Sequence, residues 1–315
     1  MKKIIILIIS ILLVGLVIYK NESITNFLSD KLINNQKLII KDSNQYKKKY
    51  DFLYVKNSKD YIPYSKQDLM DIIYSILNNG WEDFTFYCPS EYDSCKLDME
   101  DITNDDSVLA HINNYVNPYN SYDKIITTIS DSGEINIKVT KLYTSEEINE
   151  INKKVKEIIK NNYNKLDSDY DNLKRIHDYI INNTSYDIKR NNSGVSEYKS
   201  YMAYGPAIEG YATCNGYADL MAIILSELGY ENFKVATTKE ELKNKNAGHI
   251  WNAVKIDNEW LHIDLTWDDP VSEDGKNYLY HKYFLVNDEK LKEADKGDVN
   301  VDEHNYNKSI YLEFK

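Results

Sequence analysis

The strongest local constraint in this chain is a pair of strand-like runs joined by only two residues. Residues 249–256 (His-Ile-Trp-Asn-Ala-Val-Lys-Ile) lead into Asp257-Asn258, and residues 259–267 (Glu-Trp-Leu-His-Ile-Asp-Leu-Thr-Trp) follow. A two-residue loop between such runs closes an antiparallel hairpin and fixes its register. Here Ile256 faces Glu259, so paired residue numbers sum to 515. Trp251 then faces Asp264, and His249 is the diagonal neighbour of Asp264 on the same sheet face. Diagonal neighbours lie roughly 7–8 Å apart at the backbone, within reach of two polar side chains. A three-residue loop would place the two on opposite faces. A carboxylate on one imidazole nitrogen fixes the tautomer and leaves the other nitrogen for a thiol.

A thiol suited to that base stands upstream. Gly205-Pro206 and Gly210 break the helical pattern before Cys214, and Tyr217, Leu220, Met221, Ile224, Leu225 and Leu228 repeat at helical spacing behind it. With Thr213 as the N-cap, Cys214 falls in the first helical turn, where free backbone N–H groups and the helix dipole favour a thiolate. Taken alone, a single Cys reads better as a small buried hydrophobe. His262 shares the face of Asp264 and competes with His249 as the base, although it lies nearer the turn. His177 reads as a core histidine on a helical apolar stripe, His281 and His304 read as surface residues, and His111 is equally unremarkable. Trp251, Trp260 and Trp267 read as core and cleft wall.

Three blocks together, Gly210-x-x-x-Cys214-x-Gly216-Tyr217-Ala218, His249-x-Trp251-Asn252 and Trp260-x-x-x-Asp264-x-Thr266-Trp267-Asp268-Asp269-Pro270, resemble the transglutaminase-like superfamily. The resemblance spans roughly residues 145–315 and is nearest to the bacterial exported branch, alongside the kyphoscoliosis-type peptidases. It implies a papain-like α+β fold, with the cysteine at a helix N-terminus packed on an antiparallel sheet. It assigns Cys214 as nucleophile, His249 as base and Asp264 as the carboxylate that orients the base. It also implies an oxyanion hole built from the Cys214 backbone N–H and a second donor, for which Tyr204 is the candidate. His249 is followed by Ile where the family often has Ala. The Ca²⁺ sites of the animal cross-linking enzymes have no counterpart, and the acidic loop at residues 272–275 lacks EF-hand spacing, so neither metal nor cofactor is expected.

The 315 residues suit about two domains and carry 50 acidic against 38 basic side chains, a net charge of −12. Without a basic tract, nucleic acid is not an expected partner. Lys2 and Lys3 precede an apolar run at residues 4–19. Sixteen helical residues reach roughly 24 Å, a little short of a ~30 Å hydrocarbon core. No small-residue cleavage pattern follows the run, which favours an uncleaved anchor at residues 1–20 over a removed signal. The basic end precedes the run, so the remainder is expected outside the cytoplasm: a single-pass cell-membrane protein, or a secreted one if the segment is cleaved. Residues 21–45 read as a spacer. Residues 46–144 read as a small α+β domain without a catalytic constellation, and residues 145–315 as the transglutaminase-like domain.

In an oxidising compartment Cys88 and Cys95 are expected to pair, which leaves Cys214 as the free thiol a nucleophile requires. The chemistry expected is attack of Cys214 on a peptide or glutamine carboxamide to form a thioester. Water as acceptor makes a peptidase or amidase, which is the reading preferred here; an amine makes a cross-linking transglutaminase. A catalytically silent cell-surface binding module of the same fold is the alternative, and a purely structural surface protein is the weakest reading. Asp268, Asp269, Glu273 and Asp274 would help to hold an amine if they faced the cleft. A protein or peptide substrate, at the cell surface or wall, is the partner implied.

Overall fold

The computed structural model describes residues 38, 40–237, 248–271, 278–296 and 303–315. The apolar run at residues 4–19 and the acidic residues Glu273 and Asp274 lie outside them. Among the described residues no helix is long and apolar enough to cross a membrane.

The local signals for helix ends are realised in the first half of the chain. Helix α1 (Lys66–Asn79) is capped by Ser65, whose side chain accepts from the Asp68 N–H. It stops at Gly80, which adopts the left-handed conformation with φ 71°. Strands β1 (Asp83–Tyr87), β2 (Tyr122–Ile129) and β3 (Glu134–Lys141) form an antiparallel sheet in the order β1-β3-β2. Between β1 and β2 lie helices α2 (Cys95–Thr103) and α3 (Asp106–Asn114). Cys88, just after β1, forms a disulfide with Cys95 at the start of α2, with Cα atoms 5.8 Å apart. Helix α2 has little sequence signature, since only Cys95, Met99 and Ile102 of its nine residues are buried.

The second half begins with α4 (Ser145–Asn162), whose Thr144 and Glu147 form a reciprocal capping box. Helix α5 (Asp169–Asn182) is capped by Ser168. The short strands β4 (Ser185–Tyr186) and β5 (Tyr211–Ala212) pair in parallel, with the short helix α6 (Ile188–Ser193) between them. Helix α7 (Cys214–Glu227) packs on β7 (Ile250–Ile256) of an antiparallel sheet ordered β6-β7-β8-β9. The other strands are β6 (Asn232–Ala236), β8 (Glu259–Ile263) and β9 (Phe284–Val286). The one-turn helix α8 (Leu265–Asp268) follows β8, and α9 (Asp288–Ala294) follows β9.

The hairpin β7–β8 has the expected register: Ile256 pairs with Glu259 and Asn252 with Ile263. Asp257 (φ 49°) and Asn258 (φ 64°) are both left-handed, as a type I′ turn requires. Alternation along β7 divides the apolar residues between two cores. Val254 packs with α4, α5 and α7, whereas Trp251 and Ala253 pack with residues from the first half of the chain. Residues 46–144 therefore cover one face of the β6–β9 sheet and share its core. The rings of Phe52 and Tyr115 lie 5.7 and 5.0 Å from that of Phe233 on β6. Lys48 Nζ reaches across to the Asn232 carbonyl at 2.6 Å.

Candidate active site

Cys214 is the first residue of α7, and Thr213 before it is extended (φ −97°, ψ 179°). Thr213 makes no side-chain cap; its hydroxyl donates instead to the Ser200 carbonyl at 3.2 Å. The first-turn N–H groups beside Cys214 are thus not taken by a cap side chain. Gly216 explains the glycine two residues on: a Cβ there would stand 2.3 Å from the Ser200 carbonyl oxygen. The loop at residues 200–202 can lie against the start of α7 only because that side chain is missing.

His249 stands immediately before β7 and is buried, as is Asp264 at the end of β8. The diagonal placement brings His249 Nε2 into hydrogen-bonding contact with Asp264 Oδ2, while the imidazole also meets the Cys214 thiol. Burial works against a charged His249, but the Asp264 carboxylate, its hydrogen bond and the contact with Cys214 outweigh it and raise the imidazole well above its ordinary range. Burial likewise opposes ionisation of Asp264, and His249 and His304 together hold its carboxyl well below the usual carboxylate range.

Asp264 is fully engaged. Its Oδ1 accepts from the Thr266 N–H at 2.8 Å and the Trp267 N–H at 3.1 Å, which caps α8. Its Oδ2 contacts His304 Nε2 at 3.0 Å as well as His249. His304 in turn reaches Asp295 Oδ1 through Nδ1 at 2.7 Å. The expectation of a surface His304 is therefore corrected: it is buried, sandwiched between two carboxylates and stacked on Tyr283 with ring centroids 4.8 Å apart. Its sequence neighbours, Asp302, Glu303 and Asn305, are polar, and only contacts with distant segments make it a core residue.

The other histidines separate from the site. His262 is buried on the same sheet face, but its Nδ1 accepts from Trp251 Nε1 at 3.0 Å and its ring stacks on Phe314. Burial lowers its pKa to about 3, so it stays neutral. His177 is buried in contact with Asp178 (3.1 Å) and 3.2 Å from Asp268. His281 is partly buried against Asp178 at 2.6 Å and is not the free surface residue expected; His111 is buried against the Tyr311 hydroxyl at 3.1 Å. The donor atoms of His249, Asp264 and His304, and of His177, Asp178 and His281, form two groups compact enough for a metal ion. Within each group they bond one another, so neither group needs an ion to be satisfied.

The Tyr204 hydroxyl donates to Glu150 Oε2 on α4 at 2.7 Å, and Tyr204 is not among the residues that line the cleft at Cys214. Asp268 and Asp269 turn inward and do not face the cleft as an amine-holding role would require. Asp268 accepts from the Lys282 and Tyr283 N–H groups at 2.8 and 3.1 Å, and Asp269 accepts from the Tyr217 hydroxyl. Burial pushes the Asp269 carboxyl up to about 6. Trp251 is core, as expected, and Trp267 lies beside His249 with its indole N–H on Glu303 at 3.1 Å.

Cys214 and His249 open onto a cleft of about 680 Å³. Its lining includes the ion pair of Lys234 Nζ and Asp219 Oδ1 at 2.6 Å, both buried. Residues 154–265, which include Cys214, His249 and Asp264, match the family model described as the transglutaminase-like superfamily. The chain carries a transglutaminase-like domain. Among solved structures, the chain is similar to a TGase crystal structure at 17% identity, covering 50% of this chain and 48% of the other, with a TM-score of 0.32. A candidate cysteine protease from Cytophaga hutchinsonii matches at 18% identity over 45% of this chain and 61% of the other, with a TM-score of 0.28. The chain thus spans about half the length of the first and less than two thirds of the second. No curated protein matches the chain.

Proposed function

We propose that the chain is a cysteine acyl-transfer enzyme that hydrolyses peptide or amide bonds through a thioester on Cys214. The observation that carries this reading is the meeting of a free thiol at a helix N-terminus with an imidazole tied to a buried carboxylate. The Cys214 sulfur attacks the substrate carbonyl carbon, and the backbone N–H of Cys214 faces the oxygen that gains negative charge. The His249 proton passes to the leaving nitrogen as the C–N bond breaks and the thioester forms. Water then adds to the thioester and gives a proton to His249, and the acid is released as the sulfur leaves as thiolate, which restores the starting pair of thiolate and imidazolium. Asp264 stabilises the imidazolium and fixes which nitrogen faces the thiol.

Water as acceptor is supported by the open cleft and by the inward turn of Asp268 and Asp269, which takes that pair out of an amine-holding role. A location outside the cytoplasm, with residues 1–20 as an anchor, is supported by Lys2 and Lys3 before the apolar run and by the Cys88–Cys95 disulfide. Incubation of the full chain with casein and a dansylated primary amine tests the reaction. Cys214-dependent casein fragments without bound dansyl are expected. Dansylated, uncleaved casein would make the acceptor an amine, and an inert wild-type protein would contradict the enzymatic reading.

A further inference from the structure

The cleft has a second wall, and it comes from residues 46–144. Along with Cys214 and His249, the cleft is lined by Ala110, Asn113 and Asn114 of α3 and by Ser121, Tyr122 and Asp123 around the start of β2. Among the described residues, Asn113 Oδ1 and Ser121 Oγ are shielded from solvent without any hydrogen-bond partner. Ser121 is 1% exposed. Native proteins rarely leave such groups unpaired, because each has lost its water and gained nothing in return. The other buried side-chain atoms without partners, such as Tyr74 Oη and Asn252 Oδ1, do not line this cleft. Both orphaned atoms belong to residues of this one wall, and that wall belongs to the segment without catalytic residues.

We propose that residues 110–123 are the substrate-recognising wall of the cleft. Turning of these two side chains into the cleft lets Asn113 Oδ1 accept from a backbone N–H of an extended polypeptide and Ser121 Oγ bond a neighbouring backbone group, so that both atoms gain the partners they lack. Both are neutral groups, and they match a ligand that presents amide N–H and C=O groups in alternation rather than one that presents charge. A cleft of this size, lined by Asn113, Asn114, Asn191 and Asn215, suits several residues of such a chain. The inference deepens the proposed function and rests on its reading of Cys214 as the nucleophile.

The test uses acetylated peptidyl chloromethyl ketones of one, three and five residues, with iodoacetamide as a reagent too small to reach the wall. In the wild-type full chain, the inactivation rate constant at Cys214 should rise with peptide length. Asn113→Ala and Ser121→Ala should each lower the pentapeptide value about tenfold, the effect of losing one hydrogen bond, with alkylation by iodoacetamide little changed. Neither substitution removes an internal hydrogen bond, so thermal melting should not fall. Hydrogen exchange of the wild-type pentapeptide adduct gives a readout independent of the variants, and residues 110–123 should exchange more slowly in it. No length dependence in the wild type, or the same length dependence in both variants, would overturn the proposal. Casein cleavage without length dependence would remove the wall and keep the enzyme; length dependence without turnover of casein would do the reverse.

Discussion

Replacing His249 with alanine is expected to slow alkylation of Cys214 by iodoacetamide at neutral pH by about 10²–10⁴-fold, the usual contribution of a positioned acid–base group. His262→Ala should retain most of the wild-type rate. The two residues differ in what surrounds them, since both are buried histidines on one sheet face. His249 meets Cys214 and the Asp264 carboxylate, which together keep its imidazole protonated. His262 is pushed down to about 3 by burial and is held by the Trp251 indole at 3.0 Å, so it has no proton to give at neutral pH. Circular dichroism on both variants separates lost chemistry from lost folding. A faster His249→Ala than His262→Ala would mean that the base has been misassigned.

Asp264→Asn is expected to lower kcat by roughly 10³–10⁴-fold, as loss of the tautomer-fixing carboxylate does in catalytic triads generally. The direction of the pH effect follows from His249. Its imidazole is raised by Asp264 against the cost of burial, and the acid that protonates the leaving nitrogen is the protonated form. Acylation should therefore fall as pH rises through that raised value, and in the Asn variant the fall should come at lower pH. Stability should move in a second way. The Asp264 carboxyl is depressed in the folded state, so its contribution is present above its unfolded value of about 3.9 and lost as pH falls towards the folded value. Asp264→Asn should remove that acid-sensitive part of the unfolding curve. A pH–rate profile and urea melts at several pH values check both, and an unchanged alkaline limb would contradict the role given to Asp264.

What could be read without coordinates was local. Asp257-Asn258 set the hairpin register through turn geometry, and Gly205-Pro206 and Gly210 marked the break before the helix that starts at Cys214. Parity then placed His249 and Asp264 on one face, and the contact between them follows from that count. The features that escaped depend on segments far apart in the chain. His304 lies 40 residues from the carboxylate it holds, and nothing near it in sequence distinguishes it from a surface histidine. Asp268 and Asp269 read as a charged loop until the partners at Tyr217, Lys282 and Tyr283 turn them inward. The packing of Phe52 and Tyr115 on Phe233, which joins residues 46–144 to the catalytic sheet, is likewise invisible to periodicity.

Intact-mass spectrometry of an acid-quenched reaction with a peptide substrate tests the thioester itself. During turnover the wild-type protein should gain the mass of the acyl portion, mapped to Cys214, and hydroxylamine should remove it. The same sample of Cys214→Ala should carry no added mass and make no product. Product formed by Cys214→Ala at the wild-type rate would contradict the account.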